Sequence, residues 1–234
     1  MSNKKTQTQS AFDRAFLTRA VTAGQLILVR HGQQVWPDPE NSVSQDWVDP
    51  PLSELGRRQA ELVGQYLSSE RIDALYSSEL SRAADTGAAI GKHHAMEPTR
   101  IGDLDEYRMF RDVDSQSRPA DVLGELATKG AGERFVQTRS WDAYPMSESS
   151  LEFRRRIGHS IEGIMAHHPQ ETVVIACHGG VINIVMAQIL GLTVDFFFRA
   201  SHASVHRLRF DEGRRVIESL NESKFLEEAD ALSV

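Results

Sequence analysis

Two unbroken apolar runs stand out in a chain whose other apolar positions recur mostly at helical spacing. Gln25-Leu26-Ile27-Leu28-Val29 leads into Arg30-His31-Gly32, and Thr172-Val173-Val174-Ile175-Ala176-Cys177 leads into His178-Gly179-Gly180. Short runs of this kind, rich in β-branched residues, read as strands buried on both faces of a parallel sheet. Each ends abruptly in a histidine followed by glycine. Both histidines therefore leave buried strands at their carboxyl ends, the edge where open α/β sheets bind ligands.

Elsewhere the period is helical. Ser53 offers an N-cap with Glu54 in the first turn, and Ala60, Val63 and Leu67 share one face of the helix that follows. Ile72 to Tyr76 predicts a short strand. Ser77 or Ser78 then caps a helix whose Leu80, Ala83, Ala84, Gly87 and Ile90 face inward and which stops at Gly91. Thr99 to Leu104 predicts another short strand. Ser149-Ser150-Leu151-Glu152 is a capping box, opening an amphipathic helix with Phe153, Ile157, Ile161 and Ile164 on its apolar face and Pro169 at its end. Val181 to Leu190 is apolar nearly all round, so that helix is buried, with Gly191 as its C-cap. Ser204 to Phe210 alternates, Asp211-Glu212-Gly213 turns, and Arg214 to Leu220 pairs back as a hairpin. This alternation predicts parallel strands joined by right-handed crossovers.

The remaining segments have weaker patterns. Gln33 to Pro51 contains four prolines and reads as an irregular loop. Residues 108–146, punctuated by Pro119, Gly124, Gly130, Gly132 and Pro145, read as short helices and loops inserted beside the site, a lid or specificity element. Met1 to Ser10 predicts a flexible tail, and Ala11 to Ala20 a short helix. The expected organisation is an N-terminal tail and short helix over 1–23, one domain over 24–222 carrying the 108–146 insertion, and a C-terminal surface tail over 223–234.

At 234 residues, with 40% hydrophobic and 25% charged positions, the chain can bury a core. Its net charge of -7 argues against nucleic acid and anionic membranes as partners. The one cysteine, Cys177, excludes an internal disulfide and fits a reducing compartment. With no long apolar run and no secretory h-region, the expected location is cytoplasmic; Lys4, Lys5, Arg14 and Arg19 lend the start a transit-peptide look that Asp13 and a short apolar face oppose. The oligomeric state is not legible.

Arg30, His31, Arg82 and His178, with an acid from Asp103 to Glu106, form one chemical inventory. Arg82 falls in the first turn of its helix, near the positive end of the macrodipole. Two guanidiniums match tetrahedral phosphate bidentately. His31 can attack phosphorus in line, His178 can hold charge on an equatorial oxygen, and a carboxylic acid can protonate the leaving alcohol. Together they read as metal-free phosphoryl transfer, with a bell-shaped pH profile set by one deprotonated and one protonated group. Other features read as structural. His93-His94 and His167-His168 suit helix C-termini better than metal, Cys177 reads as a buried inert thiol, Gly87 to Lys92 and Gly130-Ala131-Gly132 lack the spacing of phosphate loops, and His202 reads as a surface histidine that can border the pocket. Arg108 and Arg111 either meet a second anionic group of the substrate or are solvated.

Leu28-Val29-Arg30-His31-Gly32 resembles the signature of the histidine phosphatase superfamily, which includes the cofactor-dependent phosphoglycerate mutases. The resemblance continues in order through Pro51 to Ala60, Tyr76 to Thr86, Leu104-Asp105-Glu106, Glu148-Ser149 and Val174 to Gly180. It implies a phosphoglycerate mutase-like three-layer α/β/α sandwich with a mostly parallel central sheet. It also implies that His31 is the nucleophile, that Arg30, Arg82 and His178 form the phosphate pocket, with Gly179 beside them, and that no metal or cofactor is needed. Glu106, ending the Leu-x-Glu pattern, takes the place of the general acid, with Asp105 as its rival. Gln33 is expected to line the pocket. A mutase resemblance predicts Glu at that position and Asn a few residues on, whereas this chain has Gln33 and Trp36-Pro37. The favoured function is hydrolysis of small phosphomonoesters through a phosphohistidine. The alternatives are a phosphoglycerate mutase and, from another class, a catalytically inactive relative that binds phospho-ligands or a protein.

Overall fold

Strand β1 (Gly24–Arg30) sends Leu26 and Leu28 to one side and Ile27 and Val29 to the other, and all four are buried. A strand apolar on both faces must lie inside a sheet covered on both sides. The computed structural model of the protein, which describes residues 11–17, 23–38, 40–211 and 213–234, shows that arrangement. The predicted tail over Met1 to Ser10, along with Arg19, Ala20 and Glu212 of the turn, lies outside the described residues.

The six-stranded sheet runs β3-β2-β4-β1-β5-β6, with β2 at Ala74–Ser77, β3 at Thr99–Arg100, β4 at Thr172–Cys177, β5 at Val205–Asp211 and β6 at Arg214–Glu222. The first four strands are mutually parallel, while β5 joins β1 antiparallel and β6 pairs back on β5 as the predicted hairpin. On one face lie α3 (Glu54–Leu67) and α4 (Ser81–Lys92), whose Val63, Leu67 and Ile90 pack with Ile27, Val29 and Val174. On the other lie α7 (Ser150–His167) and α8 (Gly179–Leu190), whose Phe153, Ile157, Val181 and Ile182 pack with Leu26, Leu28 and Ile175. This is the α/β/α architecture that the family resemblance implies. Caps behave as the sequence predicts at α3, where Ser53 Oγ accepts from Gly56 N–H, at α7, where Ser149 and Glu152 complete the capping box, and at α8, where Gly191 ends the helix at φ 68°.

Four expectations are corrected. The Gln33 to Pro51 loop contains a short helix, α2 (Ser44–Val48), which is joined to the insertion by Ser44 N–H to Ser117 O and Gln45 N–H to Ser115 O. Helix α4 is capped by neither Ser77 nor Ser78; Leu80 holds the N-cap position and the helix runs on through Gly91 to Lys92. Only Thr99 and Arg100 form the expected strand, because Gly102–Leu104 turns as a 3-10 helix. Within the insertion, α5 (Pro119–Leu123) is short but α6 (Glu125–Thr138) spans 14 residues, and Trp141–Ala143 forms a 3-10 turn. At the N-terminus, α1 (Ala11–Phe16) is the described part of the predicted helix.

The fourth correction concerns the C-terminus, which is no loose surface tail. Helix α9 (Lys224–Glu228) buries Leu226 completely against the α3 face, and Ala231 is buried behind it. Periodicity could not show this, because five residues of helix are too few for a pattern. Leu226→Ala is predicted to destabilise the protein by about 2–5 kcal/mol, as a buried truncation does. A urea midpoint within error of wild type would show the segment to be peripheral.

Candidate active site

Register brings the two histidines together. Strands β1 and β4 pair in parallel with Arg30 opposite Cys177, so His31 and His178 follow at neighbouring positions, and His31 N–H donates to Cys177 O at 2.9 Å. Their rings stand 5.1 Å apart. Gly32 is required where the chain leaves β1, since a Cβ there would collide with the backbone of Gly56 in α3. Arg82, the second residue of α4, enters from the β2 side and is almost fully buried.

Hydrogen bonds set the state of each imidazole. His31 Nδ1 lies 2.7 Å from Gly32 O, and a carbonyl can only accept, so Nδ1 carries the proton and Nε2 the free lone pair. Ser78 Oγ donates to Asp105 Oδ1 at 2.7 Å and accepts from Leu80 N–H, so His178 Nε2, 2.8 Å away, is the donor to it. The His178 Nδ1 atom is then the lone-pair nitrogen, buried without a partner. Burial holds both histidines neutral, with pKa well below the usual range, reinforced by Arg82 and Arg30 at both and by His178 at His31.

The guanidiniums are incompletely satisfied. Arg30 donates through Nη1 to Ala200 O and through Nη2 to His202 Nε2 at 3.0 Å, leaving Nε buried and unpartnered. Burial lowers its pKa to about 10. Arg82 donates through Nη1 to Val48 O at 3.2 Å, with Asp49 at 3.5 Å, and its Nε is likewise buried and unpartnered. Burial is also the main cause of its lowered pKa. Among the described residues, half of the buried side-chain polar atoms without partners belong to Arg30, Arg82 and His178. Buried polar atoms, here two donors and one acceptor, are left open this way where a ligand completes them.

Glu106 stands at the amino end of α8, where Oε2 accepts from Gly180 N–H at 3.0 Å and Oε1 from Tyr107 N–H at 3.0 Å. A Cβ at position 180 would overlap that carboxylate, so glycine is needed there. Gly179 lies under Arg30, its hypothetical Cβ 3.6 Å from Nε. The loop bearing Glu106 is clamped by Arg156, which donates through Nη1 to Asp103 O and Asp105 O at 3.0 and 2.9 Å and is paired with buried Glu148 at 2.6 Å. Asp105, the rival acid, is committed to Ser78 and Glu79 N–H instead.

The remaining expectations resolve as follows. Gln33 turns its carboxamide oxygen to Ser53 Oγ at 2.8 Å, so its side chain braces α3. Arg111 pairs with Asp112 and Glu152, and Arg108 reaches Gly102 O from an exposed position. His202 is corrected: rather than a surface residue it is 1% exposed, with its ring 5.9 Å from that of His31. The sequence places His202 at the border of the pocket but does not show its burial or its bond to Arg30, and it carries no signal for the Ser78–Asp105 pair, since these contacts join residues distant in the chain.

Comparison with known proteins identifies relatives of this sequence and of this fold. The model of the histidine phosphatase superfamily (branch 1) matches residues 26–223. Phosphoserine phosphatase 1 of Hydrogenobacter thermophilus is 30% identical over 202 residues, covering 84% of this chain and 91% of that protein. A 2,3-bisphosphoglycerate-dependent phosphoglycerate mutase of Protochlamydia amoebophila is 27% identical over 231 residues, covering 87% and 98%. The fold is shared with the solved structure of a mycobacterial glucosyl-3-phosphoglycerate phosphatase at a TM-score of 0.69 and 24% identity, covering 86% of this chain and all of that one.

Four buried histidines, His31, His178, His202 and His206, are all held neutral, the last two with pKa lowered to about 3, mainly by burial. Below the unfolded pKa of about 6.5 the unfolded chain binds protons that the folded chain refuses, so stability must fall as pH drops. Each histidine contributes up to about 1.4 kcal/mol per pH unit between the unfolded and folded values. The urea midpoint is predicted to decline steadily from pH 7 to 5, before most carboxylates titrate. A flat midpoint over that interval would contradict buried neutral imidazoles.

Proposed function

This chain belongs to the histidine phosphatase superfamily, and on that premise we propose that it is a metal-independent phosphomonoesterase working through a phosphohistidine on His31. The observation that carries the reading is the set of open buried nitrogens, Arg30 Nε, Arg82 Nε and His178 Nδ1, grouped around a neutral imidazole whose lone pair is on Nε2. A tetrahedral phosphate monoanion satisfies all three, its oxygens accepting from the two guanidinium nitrogens and its P–OH donating to His178 Nδ1.

In the proposed reaction the lone pair of His31 Nε2 attacks phosphorus as the bond to the ester oxygen breaks. Arg30 and Arg82 neutralise the equatorial oxygens, and His178 Nδ1 shares the proton of a phosphate monoanion with one of them. Glu106 delivers a proton to the departing alkoxide, so the alcohol leaves neutral. Water then attacks the phosphohistidine, with Glu106 as base, releasing orthophosphate and restoring His31. The substrate is a small phosphomonoester. The insertion over 108–146 decides which one, because it packs directly behind the acid: Tyr107 stacks on Trp141 at 4.7 Å and donates its hydroxyl hydrogen to Trp141 O. Phosphoserine and phosphoglycerates, named by the relatives, are the first compounds to try in a phosphometabolite screen.

Three outcomes are expected. With an aryl phosphate, wild type turns over and acquires acid-labile, base-stable phosphate, while His31→Ala does neither; binding without turnover would instead indicate the inactive relative, and phosphoglycerate interconversion stimulated by the bisphosphate would indicate a mutase. Glu106→Gln should slow poor leaving groups much more than good ones, and equal slowing across a leaving-group series would remove Glu106 as the acid. Because His31 acts as a neutral base and its pKa is held well below the usual range, the acidic limb of single-turnover phosphorylation should lie well below pH 6.5. A limb near 6.5 would mean that His31 titrates as an exposed imidazole.

A further inference from the structure

Beyond residue 223, where the family match ends, the chain returns to the site it left. After α9, Ala231 to Val234 forms a strap across the loop of residues 200–204. His202 N–H donates to Ser233 O at 2.9 Å, Arg199 Nη2 donates to Val234 O at 2.6 Å, and the fully buried Gln59 of α3 donates through Nε2 to Ala231 O at 2.7 Å and to Ser233 Oγ at 2.8 Å. The same Gln59 accepts Gln33 N–H through Oε1 at 2.7 Å. The strap is thus tied both to the loop opposite Arg30 and to the chain that leaves His31.

From these contacts we infer that the strap is a positioning element of the phosphate site, with Ser233 acting on Arg30 through His202. This rests on the phosphatase reading for its chemistry. A guanidinium only donates, so His202 Nε2, 3.0 Å from Arg30 Nη2, must be the unprotonated nitrogen, which puts the proton on Nδ1. His202 Nδ1 lies 2.9 Å from Ser233 Oγ. With that tautomer set by Arg30, the oxygen accepts from both His202 Nδ1 and Gln59 Nε2 and so holds the ring in the orientation that Arg30 requires. Arg30 is then held by Ala200 O and His202, which spends two donors and leaves Nε directed to the site.

The loop itself needs support from outside. Ala203 stands at φ 55°, in the left-handed region that costs a non-glycine residue about 1–3 kcal/mol, and its N–H donates to His31 O at 3.1 Å. Such a conformation persists only where neighbours over-determine it. The strap's bond to the adjacent His202 N–H, together with Asn221 Oδ1 accepting Ser201 N–H at 2.7 Å, supplies that constraint. Removing the strap frees His202 to flip or change tautomer, and a proton on Nε2 would then face the Arg30 cation.

The test uses orthophosphate binding by calorimetry alongside aryl phosphate kinetics. Ser233→Ala, and a chain ending at Asp230, should weaken orthophosphate binding about five- to tenfold and raise KM by the same factor, with kcat within about twofold. Ser233→Thr, which keeps the hydroxyl, should restore both, and the melting temperature of Ser233→Ala should match wild type. Orthophosphate affinity unchanged in Ser233→Ala overturns the inference, as does a loss that threonine fails to rescue or that follows the melting temperature. A wild type that binds orthophosphate without hydrolysing esters refutes the phosphatase reading alone, and the binding comparison still decides the role of the strap. A wild type that binds none overturns both.

Discussion

The structure depends on one costly arrangement: two guanidiniums and two imidazoles held together, largely out of water, at the carboxyl edge of a parallel sheet. Desolvation disfavours every charge placed there, which is why both histidines stay neutral and both arginines lose some of their usual basicity. Neighbouring groups compensate in part. Backbone carbonyls at Val48 and Ala200, the carboxylate of Glu106 and the neutral ring of His202 take up some of the donors or oppose the charge. The rest of the deficit, at Arg30 Nε, Arg82 Nε and His178 Nδ1, is what the proposed phosphate substrate would make good.

Much of the surrounding structure serves to keep these groups from relaxing toward one another or toward water. The sheet register holds the histidines side by side, and Ser78 with Asp105 orients His178 from behind. Arg156, itself neutralised by buried Glu148, fastens the Glu106 loop by three backbone carbonyls, beside the amino end of α8. Removing either partner of that pair would leave a buried charge unmatched, which explains a salt bridge in so dry a place.

What could be read in the chain was local or strictly periodic. The apolar runs before His31 and His178 declared two-sided burial, the capping box at Ser149 declared the start of α7, and Gly191 declared the end of α8, because each is a property of adjacent residues. The cap of α4 was misread because Ser78 looked like a helix cap, while its hydroxyl is engaged by Asp105 and His178, residues 27 and 100 positions away. The C-terminal segment was misread for a similar reason: a five-residue helix has no period to detect, and Leu226 gains its burial from α3, far back in the chain.

By itself, then, the sequence determined the α/β class, the strands that deliver Arg30, His31 and His178, and through its motifs the kind of chemistry those residues suit. Apolar periodicity and the chemistry of side chains are written residue by residue. Only the tertiary structure decided which nitrogen of each imidazole carries the proton, that Glu106 sits at the amino end of α8 while Asp105 binds Ser78, that Gln33 turns to Ser53, and that His202 is buried under the strap. Except for the bond of His31 to the adjacent Gly32, these are matters of hydrogen-bond partners separated by 20 to 172 residues, and no pattern along the chain records which of them will meet.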